Sequence, residues 1–213
     1  MQETAIPTSV PESVPEPAPE PAPEPAPEPA PGADAYSALD FANSARTLPG
    51  GHVIDLLGTP ESANAWLTAH GLAPADAGIR EVCAAQLRSL REQIRMLFAA
   101  RVDEMPAPPT ALAAVNDAML RTRAVALLHW DQGAGHYRAA PHPTTQILEH
   151  ALAALADNAA DLLTGPDAPR LTACGSPPCT RFLLRHGRRQ WCSTRCGDRA
   201  RAARSYARRT GQA

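Results

Sequence analysis

Between residues 76 and 102 apolar side chains return every three or four positions, as Ile79, Cys83, Leu87, Leu90, Ile94, Leu97 and Phe98. That spacing lays one stripe along a cylinder and predicts an α-helix over 76–102. Arg80, Arg88, Arg91, Arg95 and Arg101 fall mostly off the stripe, with Glu81 and Glu92 among them, and read as its solvated face. Cys83 lies on the stripe and reads as a small buried apolar residue. After the break at Pro106-Ala107-Pro108-Pro109, a second helix over 110–121 turns Leu112, Val115 and Met119 inward. A third, capped by Thr144 or Thr145, runs to about residue 164 before Gly165-Pro166 ends it. Its buried face is Ile147, Leu148, Ala151, Leu152, Leu155, Ala159, Leu162 and Leu163, packed closely against the long helix.

The remaining pattern is shorter. Residues 61–70 predict a helix carrying Trp66 and Leu67, stopped by Gly71. Residues 53–57 suit a short helix or an extended piece, and Leu39–Ser44 mixes apolar side chains with polar ones able to make turn or cap bonds. Stretches 124–130 and 136–139 flank Asp131-Gln132-Gly133-Ala134-Gly135 and predict a β-hairpin. Those glycines lack the strand-to-helix setting of a phosphate loop. His129, His136, His142 and His150 are scattered and read as turn and surface residues. The folded part therefore starts near Tyr36 as a mainly helical body.

Charge changes this picture. The net charge of −2 over 213 residues hides two unlike ends. Residues 1–35 hold six Glu and one Asp with no basic residue, and PEPA occurs four times across 15–30. Proline at every second position forbids helix and ladder bonding, so this is expected to be a disordered, extended acidic spacer. Residues 170–213 carry eleven Arg against the single Asp198. A basic end of that density suits a polyanion. No run of about twenty apolar residues predicts a membrane span, and no basic-then-apolar leader is present, so the expected compartment is the cytoplasm.

Candidate chemistry sits in that basic end. Cys174, Cys179, Cys192 and Cys196 are spaced C-x4-C, twelve residues, C-x3-C. Two close pairs separated by a short insert suit a tetrahedral zinc site, and in a cytosolic setting metal is favoured over disulfides. Four thiolates leave no open position for water, so one structural Zn2+ is expected rather than a catalytic one. A module of about forty residues buries too little core to fold alone, and zinc supplies the difference. Thr180–Leu184 and Arg188–Trp191 are expected to form a hairpin around His186-Gly187, with Phe182 and Trp191 as an apolar lid. Ser193 is placed to cap a helix that has Cys196 in its first turn and continues to about Tyr206. Knuckle, hairpin and helix is a treble-clef-like layout. Arg195, Arg199, Arg201, Arg204 and Arg208 on the helix, with Arg188 and Arg189 of the hairpin, are the candidate nucleic-acid contacts. A basic solvated face is the competing reading.

The first cysteine pair followed by Phe182, then Arg188-Arg189-Gln190-Trp191-Cys192-Ser193 and Cys196-Gly197-Asp198-Arg199, resembles the CGNR-type zinc finger. Leu39, Asp40, Phe41 and Asn43 resemble the LDFxN start of the ABATE domain that usually precedes that finger. The resemblance implies a stress-induced transcription regulator and spans residues 36–209. Three departures stand out: Asp198 replaces the naming Asn, Leu184 replaces an Asp, and three residues rather than four separate Cys192 from Cys196.

The expected organisation is a tail over 1–35, a helical ABATE-like domain over 36–168 and a zinc finger with a basic helix over 169–213. The expected function is zinc-dependent DNA binding by a transcription regulator whose helical domain senses a small-molecule or protein signal or mediates assembly. The alternative is a zinc-stabilised module for protein or RNA interaction. No nucleophile–base pair, carboxylate pair or nucleotide motif points to an enzyme.

Overall fold

The computed structural model describes residues 28–48, 51–122, 127–139 and 146–211. The expectations for the PEPA repeats up to residue 27, for the Thr144/Thr145 cap, for His142 and for the start of the 124–130 strand lie outside these residues. In chain order the elements are α1 (Ser37–Ala42), β1 (Ala45–Thr47), β2 (Val53–Asp55), α2 (Pro60–Ala69), α3 (Glu81–Val102), α4 (Pro109–Arg121), β3 (Leu127–Asp131) and β4 (Gly135–Ala139). They continue with α5 (Ile147–Thr164), a 3-10 turn (Ala168–Arg170), β5 (Leu171–Ala173), β6 (Phe182–Leu184) and α6 (Thr194–Thr210). Among the described residues, three two-stranded antiparallel sheets pair β1 with β2, β3 with β4 and β5 with β6. No helix among the described residues is long and apolar enough to cross a membrane.

Helix α3 is the axis of the body. It starts at Glu81 rather than 76, because Gly78 takes φ +64° and Arg80 is extended at the N-cap. Leu87, Leu90, Ile94, Leu97 and Phe98 of its stripe are buried. The solvated-face reading fails for two arginines. Arg91 is 4 % exposed and grips Asp55 of β2 with two bonds of 2.6 and 2.9 Å, adding Ser44 Oγ at 3.1 Å. Burial pushes the Asp55 carboxyl up, but hydrogen bonds from Arg91 and from the Leu57 amide hold it below the usual carboxylate range. Arg95 donates to Ala42 O at 2.6 Å and to Thr180 O at 3.0 Å, bridging α1 to the cysteine module.

Helices α4 and α5 lie against each other and against α3. The inward set on α4 is Ala111, Val115 and Ala118, while Leu112 is 44 % exposed. The helix is thus rotated from the expected face, offering small side chains to the Ala-rich α5, which permits close approach. The predicted β3–β4 hairpin is present, and both of its faces are exposed along β3.

The stretch Leu39–Asn43 forms the core end of the body. Leu39 and Phe41 are fully buried, and Phe41 lies 5.4 Å from the Trp66 ring. Asp40 meets His70 Nε2 at 3.0 Å, while His70 Nδ1 meets Trp66 O at 2.8 Å and the imidazole stacks on Trp66. Burial disfavours the imidazolium, but both ring nitrogens face acceptors, so the His70 pKa is raised.

Residues 28–35, expected to belong to the spacer, are folded onto the C-terminal module. Ala30 is buried, Leu184 N donates to Pro31 O at 2.8 Å, and Arg181 donates to Glu28 O at 3.0 Å. Gly32 adopts φ +94° with Leu184 pressed against it, so a Cβ there would sit 2.6 Å from the leucine side chain. Only glycine fits.

Candidate metal centre and its arginine collar

The two cysteine pairs are held by different devices. Cys174 and Cys179 sit on the turn that joins β5 to β6, where Cys174 N donates to Arg181 O at 2.8 Å and Cys179 N to Ser176 O at 3.0 Å. The strand expected over Arg188–Trp191 as the partner of Thr180–Leu184 is absent, and β6 pairs with β5 instead. His186-Gly187 does reverse the chain, with Gly187 at φ +57° and Arg189 N donating to His186 O, but no ladder follows. The hairpin instead brackets the first knuckle. Cys192 precedes the cap of α6 and Cys196 lies in its first turn, where Ser193 Oγ accepts from Cys196 N at 3.3 Å. The four-residue step from Cys192 to Cys196 is about one helical turn, so the shorter spacing still brings both sulfurs to one side.

All four sulfurs lie within 4.8 Å of one another. Cys192 Sγ is 3.6 Å from Cys179 Sγ and 3.6 Å from Cys196 Sγ. A tetrahedron of thiolates at the usual Zn–S length has edges of about 3.8 Å. Cys174, Cys192 and Cys196 are buried and Cys179 is half-buried. As bare thiols they titrate against each other. Hydrogen bonds from Cys179 and Cys192 hold Cys174 down at about 2, while the hydrogen bond to Cys174 pushes Cys179 up to about 11 and the same partner drives Cys192 upward. Four thiolates this close repel one another and require a divalent cation among them. The donor set fits one structural zinc ion.

Cationic donors surround the sulfurs. Arg199 NH2 reaches Cys196 Sγ at 3.0 Å, its Nε donates to Ser176 Oγ at 3.2 Å, and Arg181 NH1 reaches Cys192 Sγ at 3.8 Å. The amide of Cys192 points at Cys174 Sγ, 3.4 Å away. These contacts offset the net −2 of a zinc ion bound by four thiolates.

Of the expected lid, Trp191 stays with the cysteines, while Phe182 faces the opposite way. Phe182 packs edge-on to Phe98 of α3 at 5.7 Å, under the Arg95 guanidinium at 5.3 Å. Trp191 lies over the first turn of α6, and a Cβ at Gly197 would come 3.3 Å from its ring, which accounts for glycine there.

The seven candidate arginines separate into groups. At 100° per residue, Arg201, Arg204 and Arg208 occupy one flank of α6. Arg201 and Arg204 stand over Trp191, with guanidinium carbons 5.8 and 5.6 Å from its ring, and Arg201 also pairs with Asp198. Arg195 and Arg199 lie on the other flank, beside the cysteines. Arg188 and Arg189 are exposed on the turn before Trp191, where Arg189 Nε donates to Trp191 O at 3.1 Å. Two further arginines belong to this region and were not among the candidates. Arg181 is 5 % exposed, and Arg46 of β1 lines a cleft of about 230 Å3 beside the cysteines. Arg46 lies far upstream in an unremarkable stretch and carries no sequence signal.

Residues 37–166 match the family ABATE, described as "Putative stress-induced transcription regulator", and residues 170–209 match the CGNR zinc finger. No curated protein matches the chain.

Proposed function

Because the chain belongs to the ABATE family and ends in a CGNR zinc finger, we propose that it is a transcription regulator whose helix α6 binds DNA. The observation that carries this reading is the exposed flank of Arg201, Arg204 and Arg208 on a helix anchored by the cysteine cluster. Cys174, Cys179, Cys192 and Cys196 are its zinc ligands, and the metal's chemistry is structural: it supplies two charges and four bonds that fix the start of α6. Trp191 restrains Arg201 and Arg204, so less side-chain freedom is lost when they meet phosphates. Arg188 and Arg189 extend the basic surface. Asp198 is paired to Arg201 and leaves the other charges of that flank unopposed. The helical domain receives a small-molecule or protein signal or mediates assembly, the compartment is the cytoplasm, and the protein is not an enzyme.

The test is duplex binding by the zinc-loaded chain across a salt series. Each phosphate neutralised contributes about −0.9 to the slope of log K against log salt, so Arg201→Ala and Arg208→Ala each flatten it by about one contact. No binding at low salt, or a flat slope, overturns the DNA reading in favour of a zinc-stabilised module that docks on protein or RNA.

A further inference from the structure

Helix α6 is held at one end only. Cys196 and Gly197 are buried in its first turn, whereas no residue from Ala200 to Gly211 is. The ion pair on it among the described residues joins Arg201 to Asp198, and Arg199 is engaged by Ser176 and Cys196. Arg204, Arg208 and Arg209 are exposed and have no carboxylate partner among the described residues. Arg204 faces the neutral ring of Trp191. Tyr206, 60 % exposed, stands in the same stretch. The distal half of α6 is therefore a basic surface with an aromatic ring in it and nothing packed against it.

The chain brings a segment of matching chemistry to that helix. Residues 1–27 hold five Glu and no Asp, Lys or Arg, and proline recurs at every second position from Pro15. The residues that follow them are fastened to the finger. Ala30 belongs to the small core with Cys174, Leu183, Cys192 and Cys196, and Leu184 N donates to Pro31 O. Glu28 O accepts from Arg181, whose other terminal nitrogen reaches Cys192 Sγ. Residues 1–27 thus join the body one guanidinium away from the residue that precedes the cap of α6. A helix of seventeen residues is about 25 Å long, and twenty-seven residues can span up to about 90 Å. The whole of α6 is within their reach.

We infer that residues 1–27 lie on the distal half of α6 and compete there with other polyanions. Glutamates meet Arg204, Arg208 and Arg209, and prolines pack against Tyr206, as proline-rich segments do on aromatic faces. Each exposed ion pair is weak. Tethering makes the encounter intramolecular, at an effective concentration on the order of millimolar, which compensates for that weakness. The contact follows from charge and attachment and does not need α6 to bind DNA; the competition rests on the DNA reading above.

The experiment records amide chemical shifts of the zinc-loaded full chain by nuclear magnetic resonance. It compares wild type with a variant carrying Glu3→Gln, Glu12→Gln, Glu16→Gln, Glu20→Gln and Glu24→Gln together. Zinc content of one per chain in both shows that the finger is intact. The amides of Arg204, Tyr206, Arg208 and Arg209 should differ between the two chains at low salt, and those of the β3–β4 hairpin should not. The difference should vanish near about 1 M salt, where charges are screened within about 3 Å. Duplex affinity at low salt should rise about three- to tenfold in the variant. Identical α6 shifts in the two chains overturn the contact, and shifts that differ with equal duplex affinities overturn the competition. If the shifts differ and the variant binds no duplex, the DNA reading falls and the contact stands.

Discussion

The side chain of Asn43 imitates a strand. Its Nδ2 donates to Phe182 O at 2.9 Å and its Oδ1 accepts from Phe182 N at 2.8 Å, so one amide satisfies both backbone groups of the first residue of β6. Asn43 and Phe182 are 4 % and 6 % exposed, so neither backbone group has ready access to water. Replacing Asn43 with Ala orphans both. A buried unsatisfied peptide group costs about 1–3 kcal/mol, and partial rescue by a water in the space left brings the pair to about 2–4 kcal/mol. Because β6 follows directly from the first cysteine pair, the variant should also release zinc to a chelator faster than wild type. Asn158→Ala is the matched control. Asn158 Oδ1 accepts from Ala38 N at 2.9 Å and from Ser37 Oγ at 3.3 Å, within the helical body. It should lose about 1–2 kcal/mol and leave zinc release unchanged. Stability is read from denaturant unfolding by circular dichroism, and release from a colorimetric chelator. A loss below about 0.5 kcal/mol in Asn43→Ala, or equal release rates in the two variants, would refute the view that this amide docks the finger.

Other consequences are as specific. Asp55→Ala removes both bonds of the bidentate pair that holds the buried Arg91 charge and should cost about 3–5 kcal/mol, whereas Glu92→Ala, which removes a half-exposed partner of the same arginine, should cost under about 1 kcal/mol; similar losses would contradict the buried pair. The His70–Asp40 contact raises the folded pKa of His70 above its unfolded value. Its stabilisation is therefore fully present below about pH 6.5 and fades as pH rises through the folded value. The stability gap between wild type and His70→Gln should shrink between about pH 6 and pH 9, and a gap that widens would reverse the assignment. Removal of zinc, or Cys192→Ser, should unfold the finger and lower the unfolding midpoint of the helical body as well, followed by far-ultraviolet dichroism; an unchanged body would separate the two folding units.

Much of this was legible locally. Helices α2, α3, α4 and α5 follow from periodicity, and the cysteine cluster from spacing. What escaped was whatever depended on a distant partner. Arg91 falls four residues after Leu87 and three before Ile94, a stripe position, so its burial had a signal. Its partner Asp55 did not. In the Leu39–Ser44 stretch the polar residues Asp40 and Asn43 read as makers of turn or cap bonds. Their true partners are His70 and Phe182, set 30 and 139 positions away. Leu112 misled because helix periodicity gives a face, whereas the Ala-rich surface of α5 selects the rotation. Arg46 could not be found from spacing at all, since it joins the cleft only once β1 lies beside α6.

Strand β6 explains why the finger and the body have to be considered together. It has three residues, Phe182, Leu183 and Leu184, and successive side chains of a strand face opposite ways. Phe182 and Leu184 enter the main core with Leu39, Ile94 and Phe98, while Leu183 enters the small cluster with Cys174, Cys192 and Cys196. The Leu184 departure from the zinc-finger pattern gains its reason here. An apolar side chain at that position closes the main core beneath Gly32, where a carboxylate would be buried with no partner. One short strand thus gives its two faces to two cores, and Asn43 and Arg95 bind its backbone and that of Thr180 from the body side. Metal at the cysteines fixes Leu183, Leu183 fixes the register of Phe182 and Leu184, and those two complete the core around α3. The orientation of α6 relative to the helical body is consequently tied to packing on both sides of β6.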